Sequence, residues 1–310
     1  MENTRAKTTR NSLILLLTAT IWGMAFVSQS KGMDYMHPFT FNGVRSLIGA
    51  AGILVYILIS RKIAGDKAAK LDWKLNVRAG LLCGIFLTIA STLQQFGIKY
   101  TSVGKAGFIT TLYIIFVPMF GIFLKKKVAP VVWAAASMAA VGMYLLCMTE
   151  SLRLGAGDIM VFLCAIAFAI QIMTVDHYAA RIDGAVVSCI QFTVCGVVCC
   201  IGALIWGQPT FGQLQDGLGA LLYAGVLSCG VGYTLQIVGQ KGLNPTVAAL
   251  IMSLESVIAT ISGWIAYKIG FLSTDQTLTP RQIAGCVIVF AAVILVQLPP
   301  EWFRFGKKNA

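Results

Sequence analysis

Four side chains lie at depths and spacings where they could bind a small solute: Trp22, Tyr113, Gln171 and Glu255. Glu255 is the most informative. It follows Pro245 by ten residues inside an apolar stretch. At 1.5 Å per helical residue that is ~15 Å deep, half of a ~30 Å hydrocarbon core. A carboxyl group there is expensive and faces a bundle interior or a wet cavity. It suits proton exchange or recognition of an ammonium group, or, as a protonated acid, one structural hydrogen bond. Ala248, Met252, Ala259 and Ser262 share its face at helical spacing and form a small, weakly polar stripe of the kind that faces inward. Tyr113 lies 142 residues earlier, where a phenol could stack on a solute, hydrogen-bond it, or fill a core. Gln171 sits near mid-depth and could serve a polar solute or a neighbouring helix. Trp22, ~15 Å along its stretch, is an aromatic cavity wall or a packing residue.

Three further residues read as gate or cavity rim. Gln94 and Gln236 are 142 residues apart, a repeat-related pair expected nearer opposite faces of the membrane. Arg45, about seven residues into its stretch and ~10 Å deep, could snorkel outward, bond helix-end carbonyls or hold a substrate carboxylate. No catalytic or metal-ligating set accompanies them. The two histidines, His37 and His177, stand near stretch ends, and the nine cysteines fall in apolar segments without CxxC spacing. These cysteines read as packing residues, and no cofactor or metal is expected. No GxxxxGK[ST] phosphate loop occurs, which argues against primary pumping by this chain alone.

The elements that must position these residues follow from composition. The 310 residues are 57% hydrophobic and 12% charged, half the charge of soluble domains, with mean hydropathy +0.80. A water-soluble globule, a disordered chain and a collagen are excluded, leaving an all-α integral membrane protein. Ten apolar segments are expected at about 12–30, 39–60, 77–98, 104–124, 130–148, 158–177, 185–206, 217–239, 246–270 and 281–298. Pro38, Pro130, Pro245 and Pro280 stand just before segments, where a missing N–H costs a helix nothing. Pro118, inside the fourth, predicts a kink. The net charge of +12 falls in short loops, so it reads as an orientation signal and not as a nucleic-acid surface. With both termini cytoplasmic, 17 of the 24 Lys and Arg lie inside and 6 outside, with Arg45 in a span. Cysteine tags at Lys67 and Lys126 should then be reached from inside, and tags at Ser102 and Thr274 from outside.

The halves of the chain match each other. Leu93-Gln94-Gln95-Phe96-Gly97-Ile98-Lys99 aligns with Leu235-Gln236-Ile237-Val238-Gly239-Gln240-Lys241 at an offset of 142, and Pro130 meets Pro280 at 150. A duplicated unit of five helices is predicted, over 12–148 and 158–298. Because five is odd, the second copy inserts upside down, which gives inverted repeats with a site near the midplane.

Trp22-Gly23, Pro38 followed by Arg45, and Leu254-Glu255-Ser256-Val257 together resemble the EamA family of the drug/metabolite transporter superfamily. The resemblance covers about residues 12–298. It implies a ten-helix inverted-repeat exporter of amino acids or other small metabolites, working from a central cavity in the plasma membrane. Family members commonly carry Leu-Glu-Pro where this chain has Leu254-Glu255-Ser256. The expected partners are a small-molecule substrate and the bilayer, with protons as a candidate coupling ion and no oligomer required. A phosphate-ester or nucleotide-sugar carrier is the alternative and would favour several buried cations. A channel would need a continuous polar pore, and a membrane enzyme would need a catalytic cluster.

Overall fold

The structure, a computed structural model, describes residues 2–65, 71–124, 130–147, 155–273 and 275–297. Within them every regular element is helical. The first half holds α1 (Glu2–Gly32), α2 (Pro38–Ala64), α3 (Trp73–Ile98), α4 (Val103–Thr111), α5 (Tyr113–Phe123) and α6 (Pro130–Cys147). The second holds α7 (Ala156–Tyr178), α8 (Gly184–Gly202), α9 (Phe211–Asp216), α10 (Leu218–Leu222), α11 (Tyr233–Gln240), α12 (Pro245–Met252), α13 (Leu254–Lys268) and α14 (Pro280–Gln297). Eight stretches are long and apolar enough to cross a membrane, and Pro130–Gly142 and Pro280–Leu295 are shorter apolar ones. Lys67, Lys126, Thr274 and the basic residues after 298 lie outside the described residues.

Helix starts are set by residues that satisfy orphan N–H groups. Ser102, Asp183 and Asn244 accept from the backbone N–H of Lys105, of Ala185 and Val186, and of Thr246. Pro38, Pro130, Pro245 and Pro280 each open a helix, as their fixed φ favours.

The surface is apolar and the interior carries the polar groups. Tyr56, Leu58 and Ile63 on α2 are exposed, whereas Gln95, Gln171, Gln191 and Glu255 are buried. Water would favour the reverse arrangement, and hydrocarbon favours this one. The halves interleave: α3 packs on α7 and α8, α2 on α8, α1 on α11 and α13, and α6 on α14. Close crossings use glycine. A Cβ at Gly49 of α2 would stand 2.7 Å from Cys229 Cβ and 2.9 Å from the Gly225 carbonyl oxygen.

Three local features differ from the sequence expectation. The fourth apolar segment is interrupted at Leu112 and not at Pro118, which lies inside α5. The Thr111 hydroxyl donates to the Phe108 carbonyl at 2.8 Å, and Leu112 N–H turns back to Ile109 at 3.2 Å. Such back-bonding bends a helix locally, so the interruption forms ahead of the proline. The ninth segment breaks in the same way at Ser253, whose hydroxyl donates to the Leu250 carbonyl at 2.7 Å. The eighth is a wider π-helix over Tyr223–Gly232, between α10 and α11, and a short π-helical turn, Ala203–Gly207, follows α8. Insertions of this kind gather at functional sites.

Candidate functional site

The breaks at Leu112 and Ser253 each stand just before a side chain that the sequence singled out. Tyr113 opens α5, and Glu255 is the second residue of α13. The Tyr113 hydroxyl donates to Glu255 Oε1 at 3.0 Å across the two halves of the chain. Both residues are buried, at 2% and 3% exposure. A carboxyl in this setting needs a hydrogen-bonding partner, and the phenol supplies one.

All seven residues singled out in the sequence line one cavity: Trp22, Arg45, Gln94, Tyr113, Gln171, Gln236 and Glu255. The open space is small, about 30 Å³ for the centre of a water molecule, enough for one or two waters. A larger solute would require the helices to part.

The seven differ in what occupies them. Gln171 and Gln236 exchange amide hydrogen bonds at 3.5 and 3.2 Å, tying α7 to α11. The helix–helix reading of Gln171 is therefore the one realised in this conformation. Gln94 Nε2 donates to Thr110 Oγ1 at 3.2 Å, within the first half. Trp22 packs its ring on Tyr233 with centroids 4.5 Å apart, and its buried indole N–H has no partner among the described residues. Arg45 neither snorkels nor caps helix-end carbonyls. It is 5% exposed and donates from Nε to Asn42 Oδ1 at 2.8 Å, with the guanidinium over the Phe41 ring.

Sequence reasoning missed Tyr233 and Phe192. Their rings meet edge to face, with centroids 5.0 Å apart, and complete the aromatic wall. The available signal was position, since Tyr233 precedes Gln236 by three residues and so shares its helix face. Asp158 was also passed over. Near the start of α7, its carboxylate accepts from Thr101 Oγ1 at 2.9 Å and Lys105 Nζ at 2.6 Å, pinning α4 to α7 away from the cavity.

A helical bundle with an apolar outside and a small central pocket lined by polar and aromatic side chains from both halves has the build of a membrane carrier. The chain belongs to the EamA-like transporter family, which matches it twice, over residues 10–148 and 155–298. An uncharacterized transporter of Archaeoglobus fulgidus is 27% identical over 290 residues, spanning 92% of this chain and 84% of that one. The uncharacterized transporter YwfM of Bacillus subtilis is 24% identical and covers 94% of both chains. A chain of known crystal structure superposes with a TM-score of 0.73 at 16% identity, over 96% of this chain and 99% of that one, a likeness of fold alone. The protein is thus a multi-pass membrane transporter that handles a small molecule.

Proposed function

We propose that the protein is a secondary transporter that exports small metabolites, amino acids or related amines, by alternating access through the central cavity. The carrying observation is the Glu255 carboxyl group, held by Tyr113 in a pocket shared by both halves. An ammonium group would gain a charge-assisted pair there, and a proton could take its place. The small room at the centre of the cavity, about 30 Å³ for the centre of a water molecule, favours alternating access over a standing pore.

The transporter is read as ten crossings in two inverted repeats, 12–148 and 158–298. Reciprocal packing supports this, since α3 lies on α7 as α11 lies on α1. The breaks at Leu112 and Ser253 fall 141 residues apart, close to the offset of the sequence repeat. Asn11 Nδ2 bonds the Lys241 carbonyl at 2.8 Å as Asp158 bonds Thr101, an equivalent clasp at the opposite end. The termini are assigned to the cytoplasm and the protein to the plasma membrane on the charge bias of the loops. Labelling Ser102 tags from outside and Lys67 tags from inside is the expected result, and the converse would reverse the orientation.

A phosphate-ester or nucleotide-sugar carrier is disfavoured because Arg45 is the one Lys or Arg among the residues lining the cavity. The deciding experiment is uptake by reconstituted vesicles across an imposed pH gradient, with a panel of labelled amino acids, amines and phosphate esters. Accumulation of at least one amino acid or amine, about tenfold over protein-free vesicles, is expected. Accumulation of phosphate esters alone would overturn the reading.

A further inference from the structure

The structure assigns to the same cavity a second, anion-binding pole centred on Arg45, suited to a substrate carboxylate. The inference rests on the reading of the cavity as a substrate site and concerns a different residue and a different charge.

Arg45 is a cation 5% exposed within a membrane-spanning helix, and no acid among the described residues forms an ion pair with it. The ion pairs among the described residues are Lys31–Asp34 and Lys105–Asp158. Glu255, the acid in the cavity, is bonded to Tyr113. A buried charge without a counter-ion costs several kcal/mol, so an anion that reaches Arg45 gains a charge-assisted pair without displacing one.

The guanidinium is also held in place. Its Nε is committed to Asn42 Oδ1 at 2.8 Å, Asn42 Nδ2 donates in turn to Ser91 Oγ at 3.3 Å, and the Phe41 ring lies 5.4 Å from the guanidinium carbon. These contacts fix the plane of the fork and leave its two terminal amino groups without a protein acceptor among the described residues. Two parallel N–H donors in a fixed plane match the two oxygens of a carboxylate.

A second observation points the same way. Trp22 also lines the cavity, and its buried indole N–H has no acceptor among the described residues. A buried donor left bare costs about 1–3 kcal/mol, and a ligand oxygen relieves that cost. Tyr233 lines the same cavity as Arg45 and Glu255 and packs its ring on Trp22, with centroids 4.5 Å apart. The two poles then select a ligand carrying an ammonium group at one end and a carboxylate at the other.

The test takes the amino acid that the wild-type protein carries best, its decarboxylated amine and its deaminated carboxylic acid. Binding of all three is measured by competition in vesicles containing the full chain. The wild type should bind the amino acid at least tenfold more tightly than the amine. Arg45→Gln should remove about ten- to a hundredfold of amino-acid affinity and change the amine by less than about threefold. Arg45→Lys, which keeps the charge and loses the planar fork, should restore part of the loss. Equal losses for amino acid and amine would make Arg45 a structural residue and overturn the proposal. So would a wild type that binds the amine as tightly as the amino acid, a comparison that needs no variant to fold. A wild type that binds the deaminated acid and not the amine would support the Arg45 pole and refute the ammonium role of Glu255.

Discussion

Replacing Glu255 with Gln should abolish pH-gradient-driven transport in reconstituted vesicles and leave the helical fold intact. Gln keeps the size of the side chain and still offers an oxygen to the Tyr113 hydroxyl, so the 3.0 Å contact survives. What disappears is the ionisable group. A hydrogen bond to a charged partner is worth about 1.5–3 kcal/mol, so affinity for an ammonium substrate should fall by roughly ten- to a hundredfold. Any dependence of rate on pH that arises at this residue flattens at the same time. Initial rates at several imposed gradients, wild type against variant at matched protein levels, provide the measurement. Unchanged rates with an unchanged pH profile would make Glu255 a packing residue, with solute contact left to Trp22, Tyr113 and Gln171.

The second large effect is on assembly. Gly49→Leu should lower the unfolding temperature in detergent by roughly 5 °C or more and impair transport, while Gly52→Leu on the same helix should do neither. A Cβ at Gly49 would meet Cys229 Cβ and the Gly225 carbonyl oxygen below 3 Å, and a Cβ at Gly225 would meet Ile48 and the Arg45 carbonyl oxygen. Helix α2 and the π-helical stretch thus touch backbone to backbone, one turn from Arg45 and beside Ser228 and Cys229 of the cavity wall. Forcing a leucine between them costs about 1–3 kcal/mol of overpacking and displaces those side chains. At Gly52 nothing lies within 4 Å, and replacing a helical glycine there should stabilise slightly, by roughly 0.5–1 kcal/mol. Equal tolerance of both substitutions would show that the close crossing does not hold the site in shape.

Much of the site could be read in advance because a membrane makes polarity conspicuous. In a chain that is 12% charged, a carboxyl ten residues past a helix-opening proline has few explanations, and Glu255, Arg45 and the glutamines stand out on cost alone. All seven marked residues proved to line one cavity. The helix starts were legible for a related reason, since proline and capping side chains act within a few residues of their own position. The breaks were not. Leu112 and Ser253 sit well inside long, mostly apolar segments, and the hydroxyls that bend the chain there can bond backward in any helix without necessarily breaking it. Pro118, the louder local signal, lies beyond Leu112 and inside α5.

The amino-acid sequence by itself determined the membrane class, the helical segments, the likeness of the two halves and the family, because each of these follows from composition, hydropathy or short-range pattern. Only the tertiary structure decided which polar groups meet. Gln171 finds Gln236 at a separation of 65 residues, Tyr113 finds Glu255 at 142, and Arg45 pairs with no acid among the described residues. Those outcomes depend on how far each helix is rotated about its axis and how closely it approaches its neighbours. Rotation and approach are set jointly by glycine crossings, π-helical turns and the packing of many apolar side chains, and no single stretch of sequence carries that information.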